Sequence, residues 1–207
     1  MENKREKNAE KTKQNILQAA EEQFAELGFY GARIDVIAQL SDINKRMIYE
    51  YFQNKENLYK QVLFHVYKRM EIAEAELLSK QMSGIVLIRA TISMYFDFLQ
   101  SNPTFVSILM WENLNKARYL NELDAGEVQR PTIPLLANEI RLGKERGIFK
   151  SGIDENQLVI SLITICYANF SNCYTLSKLF GIDLLNPGVV EARKQHTIDI
   201  ILAYMCP

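Results

Sequence analysis

The stretch Ile34-Asp35-Val36-Ile37-Ala38-Gln39-Leu40-Ser41-Asp42-Ile43-Asn44-Lys45-Arg46-Met47-Ile48-Tyr49-Glu50-Tyr51-Phe52 decides how this 207-residue chain is read. Ile34, Ile37, Ala38 and Leu40 recur at helical spacing, Ser41-Asp42 interrupts them, and Ile43, Met47, Ile48, Tyr51 and Phe52 resume the pattern. Two short helices joined by a tight polar turn make a helix-turn-helix unit. Upstream, Ile16, Leu17, Ala20, Phe24 and Leu27 predict an amphipathic helix over residues 10–27, stopped by Gly28. Downstream, Asn54 caps a further helix opened by Lys55-Glu56, with Leu58, Val62, Val66, Tyr67 and Met70 on its apolar face and its end near Lys80.

The remainder continues in helical period. Nine glycines and five prolines make about 7 % of the chain, against about 12 % in average usage, which disfavours a turn-rich β architecture. Tyr95, Phe96, Phe98 and Leu99 mark one helix; Phe105, Leu109, Met110 and Trp111 mark the next, started by Pro103. Residues 113–129 are polar and less regular. Pro131 and Pro134 open a helix that runs to Arg146 and stops at Gly147. A single long helix is expected over 156–179, and Asn186-Pro187-Gly188 separates it from a last helix over 189–205. The expected fold is all-α, with a three-helix head, residues 1–55, and a helical-bundle body of five or six helices, residues 56–207.

A helix-turn-helix reads DNA when its second helix lies in the major groove, with polar and basic groups outward at its N-terminal end and apolar groups inward. Asn44, Lys45, Arg46 and Tyr49 fall outward, while Ile43, Ile48 and Phe52 fall inward. Tyr51 and Lys55 are placed to hold phosphates from the backbone side. The overall charge of −1 excludes a bulk polycation. The head itself is balanced: Lys4, Arg5, Lys7, Lys11, Lys13, Arg33, Lys45, Arg46, Lys55 and Lys60 face ten acids in residues 1–60. So few phosphate contacts favour a dimer, which doubles them. An α-hairpin with solvated cations fits the same pattern.

Three blocks carry a resemblance: Gly28 to Ala38, Ile43 to Phe52, and Asn54-Lys55-Glu56-Asn57-Leu58-Tyr59. Together they resemble the DNA-binding head of the TetR family of transcriptional regulators, including an Ile-Tyr-x-x-Phe end to the recognition helix and an Asn-Lys-Glu start to the next. The resemblance implies base-reading or groove-facing roles for Lys45, Arg46 and Tyr49 and phosphate contacts for Tyr51 and Lys55. Ala32 and Arg33 stand where the family has hydroxyl residues, so the second helix loses its N-cap and Arg33 offers a charged phosphate contact instead. Asp42 replaces a turn glycine, Arg46 a small residue, and Glu50 carries no phosphate role.

The resemblance further implies a double-stranded, palindromic operator, a homodimer, and a body that encloses a small-molecule effector cavity, so that the chain acts as a repressor released by an inducer. Candidate effector contacts are Tyr95, Trp111, Asn113, Tyr167, Asn169 and Tyr174, large or polar side chains on otherwise apolar faces. For each, the plainer alternative is a buried group satisfied by backbone. The segments Glu145 to Phe149, Ser171 to Ser177, Phe180 to Asp183 and Arg193 to His196 resemble the C-terminal domain of the RutR (YcdC-like) subgroup. In the family the last two helices form the dimer interface, which here implies Leu158, Ile165, Ala168, Asn172, Ile198, Ile201 and Leu202.

No phosphate loop, nucleophile elbow or zinc-protease helix is present, so an enzyme is not expected, and no cofactor or metal is implied. Cys166, Cys173 and Cys206 have no metal spacing; the first two, seven apart on one expected helix, are too distant to pair. They read as small apolar core residues or as a thiol sensor. The charged opening residues and the absence of an apolar run of about 20 residues lead to the expectation of a cytoplasmic protein with no membrane partner. A helical ligand- or partner-binding protein whose head does not bind DNA remains the alternative.

Overall fold

The computed structural model describes residues 2–124, 126, 128 and 130–207; the side chains of residues 2–6, and so the head cations Lys4 and Arg5, lie outside the described residues. Ten α-helices and one 3-10 turn, with no strand, make up the described residues: α1 (Glu2–Gly31), α2 (Ile34–Leu40), α3 (Lys45–Phe52), α4 (Lys55–Ser79), α5 (Gly84–Ser101), α6 (Pro103–Leu114), the 3-10 turn Leu120–Glu122, α7 (Thr132–Glu145), α8 (Glu155–Ser171), α9 (Cys173–Phe180) and α10 (Pro187–Met205). They form two units, residues 1–68 with 107–128, and residues 69–106 with 129–207.

In the first unit α1 packs on α2, and α2 on α3, around Ile16, Ala20, Phe24, Ile37, Ile48 and Phe52. The first helix starts at Glu2, eight residues earlier than its apolar pattern, because Glu2, Lys4, Arg5, Glu6 and Lys7 are good helix formers that continue it. Gly28 breaks it as expected, at φ 67° and ψ 177°, and the chain resumes helix to Gly31. A side chain at Gly28 would put its Cβ 2.8 Å from the Trp111 ring, whose indole N–H donates to the Ala25 carbonyl at 3.1 Å. Phe24, Phe29, Tyr59 and Tyr119 interlock through edge and tilted contacts at 4.6–5.4 Å. The buried carboxylate of Glu112 closes this cluster, accepting from the Tyr59 hydroxyl at 3.0 Å and the Leu120 amide at 2.9 Å. Tyr119 and Leu120, within the stretch 113–129 that is polar in sequence, are thereby part of the head's own packing.

In the second unit α5 packs against α8, α10 and α7, burying Ile88, Ile92, Phe96, Leu136, Ile140, Leu162, Phe170 and Ile201. Gly143 lets α7 approach Phe149, whose ring would lie 2.1 Å from an added Cβ. Lys144 ties the α7–α8 turn, donating to the Ile153 carbonyl at 2.6 Å and to Glu155 at 2.7 Å. Lys150 holds the end of α10: its amide donates to the Met205 carbonyl at 2.8 Å, and its ammonium to those of Ala203 and Tyr204 at 3.1 and 3.2 Å.

The single helix expected over 156–179 is two helices, α8 and α9, bent by 74°. Asn172 sits at the break with φ −110° and ψ 11°, and both its amide and its side-chain nitrogen bond the Ala168 carbonyl. Ser171 and Asn172 are residues whose side chains compete for backbone groups, so the helix ends there without glycine or proline. Cys166 and Cys173 therefore lie on different helices; both are buried and all three cysteines are free thiols. The last helix starts at Pro187, two residues early, with Asn186 capping the Gly188 amide at 3.0 Å.

Candidate nucleic-acid interface

The turn between α2 and α3 is built by short-range bonds. Ser41 donates its hydroxyl to the Ile37 carbonyl at 2.7 Å, Asp42 takes φ 53° in the left-handed region, and the Ile43 amide returns to the Ala38 carbonyl at 3.0 Å. Asn44 then caps α3, its side-chain oxygen accepting the Arg46 amide at 2.8 Å. Ile48 and Phe52 are buried, which fixes the helix's rotation and leaves Asn44, Lys45, Arg46, Tyr49 and Glu50 exposed in one row. Arg33 is exposed at the N-cap of α2, where it makes no capping bond.

Each cation of the recognition helix has an acid beside it. Lys45 pairs with Asp35 of α2 at 2.6 Å, which holds its ammonium above the ordinary lysine range. Arg46 pairs with Glu50 at 3.0 Å, one helical turn on. Both pairs are solvent-exposed and therefore weak enough for a phosphate or base edge to displace. Lys55 is different. Its ammonium donates to the Ala32 carbonyl at 2.5 Å and lies 4.8 Å from the Phe29 ring centre, and burial lowers its pKa. It fastens the start of α4 to the α1–α2 junction, with further N–H groups left to donate. Tyr51 is half-buried beside Phe52.

The six residues expected around an effector are not brought together. Trp111 and Asn113 belong to the first unit; Trp111 packs on Gly28, and the exposed Asn113 side chain donates to its own helix at Leu109. Tyr174 on α9 is 80 % exposed. Tyr95, Tyr167 and Asn169 lie in the second unit. Tyr167 donates to the Val106 carbonyl at 3.1 Å, and the side-chain nitrogen of buried Asn169 has no hydrogen-bond partner among the described residues. Tyr95 is engaged in a buried network that the sequence reading missed: its hydroxyl donates to Glu74 at 2.9 Å and accepts from Arg130 at 2.9 Å, while Arg130 bonds Glu74 at 2.6 Å. Burial, with the Glu74 charge adding to it, pushes the Tyr95 hydroxyl well above its ordinary value. The available signal was register, since Glu74 stands four residues after Met70 and three before Leu77 on the buried stripe of α4. Burial also pushes the Cys166 thiol up to about 12, which suits a packing residue and not a redox sensor.

The seven residues expected at a dimer interface differ in exposure. Leu158, Ile198, Ile201 and Leu202 are at most 8 % exposed and form the core of the second unit; Ile165 and Ala168 are half-buried and Asn172 is exposed at the α8–α9 break. The apolar groups that α8 and α10 present outward are Ile160, Ile200 and Tyr204, 57, 46 and 57 % exposed.

Comparison with known proteins follows the same division. A model described as bacterial regulatory proteins, tetR family, matches residues 16–62, and one described as tetracyclin repressor-like, C-terminal domain, matches residues 86–201. The HTH-type transcriptional repressor NicS of Pseudomonas putida is 35 % identical over 179 residues, covering 85 % of this chain and 84 % of that protein. The HTH-type transcriptional regulator RutR of Escherichia coli K12 is 26 % identical over 164 residues, 77 % of this chain and 74 % of that one. Among solved structures, the regulator SCO4942 of Streptomyces coelicolor superposes with a TM-score of 0.72 at 21 % identity, covering 94 % of this chain and 98 % of that one. With a head that places a polar, cationic recognition helix outward, and matches that together span most of its length, this chain belongs to the TetR family of bacterial regulatory proteins.

Proposed function

We propose that this regulator is a homodimeric repressor that binds a palindromic double-stranded operator through residues 33–55 and is released by a small-molecule effector held in the body. Residues 1–55 form the reading head, braced by residues 107–128, and the rest of 56–207 serves effector binding and dimerisation. The observation that carries the reading is the exposed row Asn44, Lys45, Arg46 and Tyr49 on a helix whose opposite face is locked by Ile48 and Phe52. Lys45, Arg46 and Tyr49 face the base edges in the groove, with Tyr51, Arg33 and the spare N–H groups of Lys55 on phosphates. The outward sides of α8 and α10, with Ile160, Ile200 and Tyr204, meet a second copy about a two-fold axis and set two heads on successive major grooves, about 34 Å apart.

Of the effector candidates, Tyr95, Tyr167 and Asn169 share one unit, and Asn169 has an unused buried donor. An effector lowers operator affinity only by its differential affinity for the two head spacings. Among the described residues no single helix is long and apolar enough to cross a membrane; α8 and α9 reach that apolarity only as a bent pair. A cytoplasmic location follows from the operator-binding role.

A second reading has an observation of its own. Lys45, Arg46 and Lys55 all have partners inside the chain, as in a head that binds ligand or protein partners without DNA. Fluorescence anisotropy with duplex DNA from upstream of the coding sequence separates the two: salt-dependent binding, weakened roughly tenfold or more by Lys45→Ala or Arg46→Ala, supports the operator reading. Unchanged affinity in both variants overturns the assignment of α3 as the reading helix.

A further inference from the structure

A polar depression of about 360 Å³ lies beside the C-terminal end of α3, lined by Lys13 of α1, Tyr51 and Gln53, and Asn57, Lys60 and Gln61 of α4. We propose that it is a second backbone-phosphate seat, in which Lys13 and Gln53 hold the DNA strand at the edge of the groove that α3 reads. The inference rests on the operator-binding reading above and adds to it a contact from outside the helix-turn-helix.

Charge comes first. Lys60 is spent on Glu122 at 2.5 Å and Glu56 at 3.5 Å, and Glu122 also lines the depression. Lys13 makes no ion pair among the described residues, so of the two ammonium groups lining the depression it is the one free to take a phosphate oxygen. Hydrogen-bonding capacity points the same way. The Asn57 side chain donates to the Gln53 side-chain oxygen at 3.2 Å, which occupies the acceptor of Gln53 and leaves its NH₂ group to donate outward. The Tyr51 hydroxyl adds another donor. A cation and donors, with the one carboxylate already paired, suit a phosphate oxygen.

The backbone at Gln53 supports a functional reading. It takes φ 64° and ψ −52°, and the Asn54 amide closes on the Phe52 carbonyl at 2.7 Å, the rare and strained γ-turn, in a residue other than glycine. A glycine there would meet the same turn with less strain. The residue present has instead a long amide side chain lining the depression. Position agrees as well: α3 has eight residues, about 12 Å of helix, close to the width of the major groove. With Asn44 to Arg46 over base edges, the Tyr51–Gln53 end reaches the strand that bounds the groove.

The test uses the full-length protein, the upstream duplex and an unrelated duplex of equal length, over a range of salt concentrations. Lys13→Ala is expected to weaken binding to both duplexes by the same factor and to reduce the slope of log affinity against log salt by about one per protomer. Gln53→Gly is expected to weaken both likewise while the melting temperature rises or holds, which separates a lost contact from a lost fold. An unchanged salt slope in Lys13→Ala, or a loss confined to the upstream duplex, overturns the phosphate seat while wild-type binding and the Lys45 and Arg46 effects keep the operator reading. If the wild type binds neither duplex, both fail.

Discussion

Lys45 illustrates how much a single side chain's surroundings change its meaning. On the sequence it is a free cation at the head of a recognition helix; in the structure it spans 2.6 Å to Asp35 on the preceding helix. In the proposed operator complex, DNA must displace that carboxylate before Lys45 reaches a base or phosphate. Asp35→Asn is therefore expected to tighten operator binding by roughly two- to fivefold, the worth of an exposed ion pair, and to steepen its salt dependence; fluorescence anisotropy measures both. Looser binding in that variant would show that Asp35 positions Lys45 and does not compete for it. The Arg46–Glu50 pair was legible from four-residue spacing alone. The Lys45–Asp35 pair was not, because ten residues and a turn separate the partners and only the crossing of α2 and α3 joins them. Lys55 was legible as a cation but not as a fastener, since its bond to the Ala32 carbonyl depends on how α1 ends.

At the scale of elements, the sequence reading held where side chains act on their own backbone. Asn44 capping α3, Asn54 bonding the Asn57 amide and Pro103 opening α6 follow from local chemistry. It failed where two local tendencies compete. Residues 158–170 are apolar enough to continue a helix, yet Ser171-Asn172 ends it, and of the α8 and α10 residues expected at a partner, Leu158, Ile198, Ile201 and Leu202 lie in this chain's own core, because periodicity gives a face without saying what covers it. The α7–α8 turn offers a test by pH. Lys144 donates to Glu155, which lowers the Glu155 pKa from its ordinary 4.5. A depressed folded-state carboxyl contributes stability that is present above the unfolded value and lost as pH falls through the folded one. Glu155→Gln is expected to lower the urea midpoint at pH 7 and to leave it closer to wild type below pH 4. A deficit equal at both pH values would mean that the Glu155 charge is not what Lys144 stabilises.

For the molecule as a whole, assembly is the property most open to measurement. Ile160, Ile200 and Tyr204 remain exposed on helices whose other faces are core. Ile160→Asp combined with Ile200→Asp is expected to give a folded monomer in sedimentation velocity with unchanged helical circular dichroism, and to reduce operator affinity by on the order of a hundredfold or more as half the phosphate contacts are lost. A variant that stays dimeric places the interface on another face. The all-helical plan was legible throughout from period and from scarce glycine and proline. The buried Glu74–Tyr95–Arg130 network was legible only at one end: register puts Glu74 on an apolar stripe, but its partner Arg130 lies fifty-six residues away.

The end of α10 has a consequence for experiments on this chain. Helix ends ordinarily fray, since their last carbonyls lack partners, but Lys150 occupies three of them, at Ala203, Tyr204 and Met205. Unwinding the final turn thus requires prying loose the loop after α7, so the two motions share one opening event. Amide hydrogen exchange over the last turn of α10 and at Lys150 is therefore expected to share one opening rate.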